Sequence, residues 1–183
     1  MIINHEHKFM FFAEPHTASR ACARMLEKIP GSEHVAHHHV AKVYLLDNKL
    51  IPESGYLSFS VVRDPRDIIA TKIAHAIYNR NHAAAVLDPV PTDAEFVERY
   101  VKQACNIPRK PFFYHNDMDH TLRYKNLDAE MEELLHWLGI ASLPGLELFG
   151  MTKEKRQWFK YYTAKQMRLM LDNIPEIQQF IGW

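Results

Sequence analysis

The chain has 183 residues, and its 22 Lys plus Arg balance its 22 Asp plus Glu, so its formal charge at neutral pH is zero. This balance excludes the strongly basic proteins that bind nucleic acid through excess charge. A content of 47% hydrophobic and 24% charged residues excludes disordered and fibrous chains. The length predicts one domain over residues 1–183, which buries a core without disulfides.

The two cysteines, Cys22 and Cys105, are far apart in the sequence, which predicts neither a disulfide framework nor a cysteine metal site. Residues 1–12 carry His, Glu and Lys before a short apolar run, so they resemble neither a signal peptide nor a membrane span of about 20 residues. We therefore expect a cytoplasmic protein that binds neither membrane nor nucleic acid.

The first predicted element is a buried strand over Lys8 to Ala13, an apolar run that ends before Pro15. A helix follows, because Ala18, Cys22, Met25 and Ile29 recur at helical spacing, and Pro30-Gly31 ends it. The local pattern is strand, tight loop, helix.

The same pattern recurs further along the chain. Leu57 to Val62 is an apolar and β-branched run, and Asp64-Pro65 follows it as a capping residue and a first helical residue. The helix is predicted from Pro65 to about Arg80. Two strand-loop-helix units favour an α/β fold, a parallel sheet flanked by helices with ligands at the carboxyl ends of the strands.

The rest of the chain predicts a surface loop over Asn79 to Pro91, a break at Pro108 to Pro111, and four more elements. Two helix starts are capping boxes, in which a Thr is followed three residues later by Glu or Gln. The elements are a helix from Thr92 to about Gln103, a strand over Thr121 to Tyr124, a helix that ends before Gly139, and a helix from Thr163 to about Asn173.

The loop between the first strand and helix is a candidate anion site, because a helix N-terminus presents N–H groups and the positive end of the dipole. Its residues are Pro15, His16, Thr17, Ala18, Ser19 and Arg20. The loop lacks the Gly-rich pattern and terminal Lys of the ATPase and GTPase loop, which argues against a phosphate-loop kinase. For this loop taken alone, a simple capping turn is the preferred interpretation.

The second junction carries Arg63 just before the helix and Thr71 eight residues later. An Arg offers two parallel donors to a phosphate, and the hydroxyl adds another. An ion pair of Arg63 with Asp64 or Asp67 is the alternative. Two such junctions in one sheet predict a ligand with phosphate at both ends.

Four segments, in chain order, resemble the sulfotransferase family. FMFFAEPHTASRACARML is similar to its 5′-phosphosulfate loop, and SVVRDPRDIIATKIAHA is similar to its 3′-phosphate segment, with Arg63 and Thr71 at the matching positions. LRYKNLDAEMEELLHWLGI and WFKYYTAKQMRLMLDNIPEIQQFIGW resemble its later strand-turn-helix and its closing segment. In this chain His16 replaces the common loop Lys, Ala18 a common Gly, and Lys125 a frequent Glu.

The resemblance implies a nucleotide-kinase-like fold of the phosphate-loop type that binds 3′-phosphoadenosine 5′-phosphosulfate (PAPS) as co-substrate and uses no metal. It implies that residues 16–20 hold the 5′-phosphosulfate, that His16 also serves catalysis, and that Arg63 and Thr71 hold the 3′-phosphate. Late basic residues of the family close over the nucleotide, which makes Lys155 and Arg156 candidates. A solvated charge run is the alternative there.

The resemblance also implies a base after the first helix, where His37, His38 and His39 lie, with His38 or His39 preferred. Two alternatives remain open: a zinc site of the triplet with His34, and a polar surface. The acceptor is a small molecule, a sugar or a peptide, and a non-catalytic nucleotide-binding or anion-binding module of the same fold is the rival function.

Overall fold

The computed structural model describes residues 1–35, 42–73, 93–106, 118–141 and 162–180. The chain divides into two compact units, each built from two stretches of sequence. The first comprises Met1–Arg63 with Lys110–Met151, and the second comprises Asp64–Arg109 with Thr152–Trp183. The prediction of one domain over residues 1–183 stays a prediction.

The first unit contains a five-stranded sheet in the order β3-β1-β2-β4-β5. Its strands are β1 (Ile2–Asn4), β2 (Phe9–Phe12), β3 (Ser32–His34), β4 (Leu57–Val62) and β5 (His120–Arg123). Its helices are α1 (Ser19–Leu26), α2 (Lys42–Asp47) and α5 (Leu127–Trp137), the last preceded by a 3₁₀ turn over Tyr124–Asn126. The α/β prediction is confirmed.

The sheet is mixed, so the prediction of a purely parallel sheet was wrong. β2, β4 and β5 are parallel, whereas β1 runs antiparallel to both β2 and β3. The turn between β1 and β2 explains the difference: residues 5–8 are too few for the crossover that parallel neighbours need, so the chain reverses as a hairpin. Lys8 closes this turn with a left-handed φ of 55°.

Successive side chains of each strand point to opposite faces of the sheet, and both faces are covered by helices. Phe9 and Phe11 of β2 and Phe59 of β4 are fully buried on one face, in a core that α1 and α5 complete. Full burial of each such ring contributes roughly 2 kcal/mol. Met10 and Phe12 point to the other face, where they pack with Leu45 of α2. The predicted flanking of the sheet by helices is confirmed.

Asn4 holds the hairpin to the neighbouring strand. Its side chain is fully buried, and its amide nitrogen donates to the Pro30 carbonyl at 2.8 Å and to Ser32 Oγ at 2.9 Å. Its amide oxygen accepts from the His7 backbone N–H at 2.6 Å. Three bonds satisfy this buried amide, which fixes the start of β3 against the end of β1.

The second unit is helical in its described parts. Its helices are α3 (described over residues 65–73), α4 (Asp93–Asn106) and α6 (Ala164–Asn173), followed by a 3₁₀ segment, Pro175–Phe180. α4 and α6 pack against each other. Tyr162 donates its hydroxyl proton to the Arg66 carbonyl at 2.7 Å, which joins the start of α6 to α3.

Several predicted boundaries are confirmed. β2 and β4 fall within the predicted strands, and Gly139 follows α5 with a φ of 73°. Thr163 and Gln166 form the predicted capping box. The structure begins the third parallel strand at His120 rather than Thr121 and extends α4 to Asn106. The remainder of the α3 prediction, the Thr92 cap, the 79–91 loop and the 108–111 break lie outside the described residues.

Within the part of the chain that the structure describes, no helix combines the length and apolar character needed to cross a membrane.

Candidate functional site

The carboxyl ends of three parallel strands converge at one edge of the sheet. Residues 13–18 follow β2, Arg63 follows β4, and Tyr124 follows β5. This edge is where ligands bind in sheets of this kind. The structure therefore brings the first predicted anion loop and Arg63 together within the first unit.

The backbone of the loop alternates in the sign of φ. His16 and Ala18 both have φ of 61°, in the left-handed region, and Thr17 between them has a negative φ. In anion-binding loops, alternation of right-handed and left-handed helical residues turns successive N–H groups toward one side, and the positive φ of His16 and Ala18 matches the left-handed positions of that pattern. Two non-glycine residues in this conformation also store strain, a feature that concentrates at ligand sites.

The side chains of the loop differ in exposure: Thr17 and Ser19 are buried, His16 is half-buried and Arg20 is exposed. Thr17 is buried and donates its hydroxyl proton to the Glu14 carbonyl at 2.9 Å, and Ser19 is buried at the start of α1. The N-cap residue of α1 is Ala18, whose side chain makes no capping bond. Arg20 is exposed on the first turn of α1.

Two groups at the carboxyl edge of the sheet contact the side chain of Arg63. Its Nη1 donates to the His16 carbonyl at 2.7 Å, and its guanidinium carbon lies 4.2 Å from the centroid of the Tyr124 ring. A cation over an aromatic face is attracted by the ring quadrupole. Arg63 thus links the loop after β2 to the turn after β5, through the carbonyl of a residue in the left-handed conformation.

Tyr124 is a further residue of this candidate site that the sequence does not single out. The sequence predicts it as the last residue of a strand, whereas it opens the 3₁₀ turn directly after β5. The signal for it was available in the pattern, because an aromatic side chain just past the third parallel strand lies at the edge where ligands bind.

Thr71 lies on α3, in the second unit. Asp64 opens that helix, accepting from the Arg66 N–H at 2.9 Å, which confirms the predicted cap, and it also pairs with the Arg66 guanidinium. Thr71 is buried and donates its proton to the Asp67 carbonyl at 2.8 Å. Beside it, burial lowers the pKa of Lys72.

The other predicted site residues lie outside the described residues. These are His37, His38 and His39 of the base prediction, and Lys155 and Arg156 of the closing segment. His34, at the end of β3, has its Nε2 at 3.7 Å from Glu27 Oε1. Across the described ranges no three His, Cys, Asp or Glu side chains are grouped to hold a metal ion.

The amino ends of β4 and β5 are joined by a polar network. Ser58 is fully buried and donates to Asp119 Oδ2 at 2.6 Å through its hydroxyl and at 2.8 Å through its N–H. Lys42 Nζ donates to the same hydroxyl at 2.8 Å. The bonds from Ser58 hold the pKa of Asp119 below its usual range, and the nearby ammonium of Lys42 adds to the effect. This network lies at the edge opposite the loop.

Comparisons with protein-family models, with curated proteins and with solved structures give no match.

Proposed function

We propose that the protein is a PAPS-dependent sulfotransferase. The observation that carries the proposal is the carboxyl edge of the sheet, where a loop with alternating φ precedes α1 and is bonded to Arg63. A loop of this kind suits a tetrahedral oxyanion such as phosphate or sulfate. The four segments that resemble the sulfotransferase family, in chain order, are the reason for proposing PAPS as the nucleotide.

In this proposal the loop holds the 5′-phosphosulfate of the donor. Backbone N–H groups of residues 16–19 donate to it, and Arg20 approaches from the exposed side of α1. The resemblance to the sulfotransferase family assigns the 3′-phosphate to Arg63 and Thr71, and the late basic segment of the family to Lys155 and Arg156. A guanidinium has five N–H donors, so the bond from Arg63 to His16 is compatible with a phosphate contact.

The proposed reaction is an in-line transfer of the sulfuryl group. The acceptor oxygen or nitrogen attacks sulfur, and the bond from sulfur to the bridging phosphate oxygen breaks. The products are the sulfated acceptor and adenosine 3′,5′-bisphosphate. Protonated His16 stabilises the charge that develops on the bridging oxygen, and His38 or His39 takes the acceptor proton. None of these steps calls for a metal ion.

A non-catalytic nucleotide-binding or anion-binding module is the second candidate. Two observations favour it: His16 replaces the Lys common in the family, and the hydroxyl of Thr17 and Nη1 of Arg63 both donate to carbonyls of the loop itself. Such contacts maintain an anion cradle without contributing to turnover.

Calorimetric titration with adenosine 3′,5′-bisphosphate, beside ATP with magnesium, tests the site. We expect micromolar binding of the bisphosphate and much weaker binding of ATP. Arg20 and Arg24 are both exposed on α1, on its first and last turns, so they form a matched pair. Arg20→Ala is expected to weaken binding about tenfold, Arg63→Ala is expected to abolish it, and Arg24→Ala should leave it unchanged.

The pH dependence examines the role of His16. A larger fraction of imidazole is charged at pH 6 than at pH 8, so we expect tighter binding at pH 6. The 5′-phosphate also titrates in this range, and His16→Gln is therefore the control: it should reduce the difference between the two pH values.

Turnover separates the two candidates. The protein is incubated with PAPS and with sugar, small-metabolite and peptide acceptors, and release of the bisphosphate is followed. Acceptor-dependent release supports the enzyme, whereas nucleotide binding without release for any acceptor supports the module. Absence of bisphosphate binding would contradict both, and preferential binding of ATP with magnesium would favour a kinase.

A further inference from the structure

A second cluster of reactive side chains lies at the amino edge of the sheet, away from the proposed donor site. His5 and Lys8 belong to the turn between β1 and β2, Glu33 lies in β3, and Tyr56 immediately precedes β4. The backbone supports this arrangement, since Leu57 donates its N–H to the Lys8 carbonyl at 2.8 Å. Three separate segments thus contribute to one surface cluster.

The cluster is a continuous chain of hydrogen bonds. His5 Nδ1 lies 2.7 Å from Tyr56 Oη, and His5 Nε2 lies 3.1 Å from Glu33 Oε1. A carboxylate accepts hydrogen bonds only, so Nε2 carries the proton that is donated to Glu33. In the neutral imidazole Nδ1 is then the acceptor, and the phenol of Tyr56 donates to it.

Lys8 adds a positive charge beside the phenol oxygen. Its Nζ lies 3.4 Å from Tyr56 Oη and 5.0 Å from the centroid of the ring. An ammonium at this position stabilises negative charge on the oxygen. A nucleophile, a base and a residue that orients the base, with a cation at the nucleophile, is the arrangement that activates a hydroxyl for attack.

We propose that Tyr56 is a surface nucleophile that is acylated by activated acyl compounds, independently of the proposed sulfotransfer. Tyr56 Oη attacks the acyl carbon while its proton passes to His5 Nδ1, and Glu33 stabilises the imidazolium. The bond from the acyl carbon to the leaving group breaks, and the leaving group takes the proton from His5. The products are the aryl ester of Tyr56 and the protonated leaving group.

The cluster is accessible to such a reagent. The side chains of His5 and Glu33 are 50% and 60% exposed. Tyr44, on α2, provides an internal reference because it is 56% exposed in the same molecule. Exposure alone would make Tyr44 the more reactive tyrosine, since Tyr56 is only partly exposed.

The test is acetylation of the full chain by N-acetylimidazole at pH 7.5, with the rate at each tyrosine followed by peptide mass spectrometry. We expect Tyr56 to react at least about tenfold faster than Tyr44. Equal rates, or a faster reaction at Tyr44, would overturn the proposal without any variant being needed.

Three variants test which neighbouring residues accelerate the acetylation of Tyr56. His5→Gln and Glu33→Gln should each lower the rate at Tyr56 severalfold, with the larger loss for His5→Gln, while the rate at Tyr44 stays constant. Lys8→Met should have a smaller effect in the same direction. A purely structural cluster would lower thermal stability in these variants but leave the ratio of the two tyrosine rates unchanged, and that result would also overturn the proposal.

The pH profile is a further readout. The titratable groups that face Tyr56 are His5 and Lys8, with Glu33 behind His5. Protonation of His5 Nδ1 removes the acceptor for the phenol proton, so acidification should lower the rate at Tyr56 more steeply than the rate at Tyr44. Parallel profiles for the two tyrosines would contradict the role of His5.

Discussion

The left-handed conformation of Ala18 predicts that Ala18→Gly is more stable than the control variant Ala21→Gly. Ala18 has φ of 61° and ψ of 16°, a conformation that costs an L-residue about 1 to 2 kcal/mol and costs glycine almost nothing. Ala18→Gly removes this strain. Ala21→Gly, three residues later within α1, instead places glycine in regular helix, where it costs about 0.5 to 1 kcal/mol.

The two variants change the unfolded chain in the same way, because each replaces one alanine by glycine, so the difference between them reports the folded backbone. The Ala18 methyl is partly buried against the core, which removes a few tenths of a kcal/mol from the gain. We therefore expect Ala18→Gly to be about 1 to 2 kcal/mol more stable than Ala21→Gly.

Urea denaturation measures this difference, with equal m values showing that both variants unfold from comparable states. Equal stability of the two variants, or a lower stability of Ala18→Gly, would refute the left-handed conformation as the source of strain in the loop. The result bears directly on the site, since the same alternation of φ forms the proposed anion cradle.

Three further outcomes are expected. Asn4→Ala should lower the free energy of unfolding by about 2 to 3 kcal/mol, because it removes three hydrogen bonds of a buried amide, whereas exposed Asn48→Ala should cost under about 0.5 kcal/mol in the same urea titration. Burial raises the pKa of Cys22 to about 12, so Ellman's reagent at pH 8 should label it only after unfolding; rapid labelling of the native thiol would contradict its burial. The pKa of Asp119 is lower in the folded protein than in the unfolded chain, so its contribution to stability is present above about pH 4 and is lost as the pH falls further. Asp119→Asn should accordingly flatten the dependence of Tm on pH below 4, and an unchanged acid dependence would show that the bonds from Ser58 do not stabilise the carboxylate.

Much of the parallel part of the fold was predictable, because its signals are local. The apolar runs at Phe9–Phe12 and Leu57–Val62 are bounded by polar and proline residues, and both are strands. The Thr163 capping box and the Gly139 terminus are equally local, since each depends on residues within one turn of a helix end.

The antiparallel edge of the sheet was not predictable in the same way. β1 and β3 have three residues each, and β3, Ser32–His34, carries no buried hydrophobic side chain of its own. Such a strand exists because β1 pairs with it and because Asn4 bonds to Ser32. A sequence pattern does not reveal a strand that is stabilised by its partner strand rather than by its own alternation of apolar and polar residues.

For the candidate site, sequence determined the residue types and the tertiary structure determined their partners. The sequence showed a polar loop before a helix and an Arg after the second strand, and it predicted that both lie at one edge of a sheet. It left open whether Arg63 pairs with Asp64 or Asp67. The structure pairs Asp64 with Arg66 and places Arg63 on the His16 carbonyl and the Tyr124 ring. Those partners are 47 and 61 residues distant along the chain.

The left-handed φ of Ala18 was likewise hidden, because alanine rarely adopts that conformation and does so here in a loop that long-range contacts hold. Local periodicity, caps and composition by themselves determined the strands and helices of the parallel layer and the residues offered at its edge. Only the folded chain decided the direction of β1, the contacts of Arg63, and the meeting of His5, Glu33 and Tyr56, since each depends on segments that approach one another only after the sheet has formed.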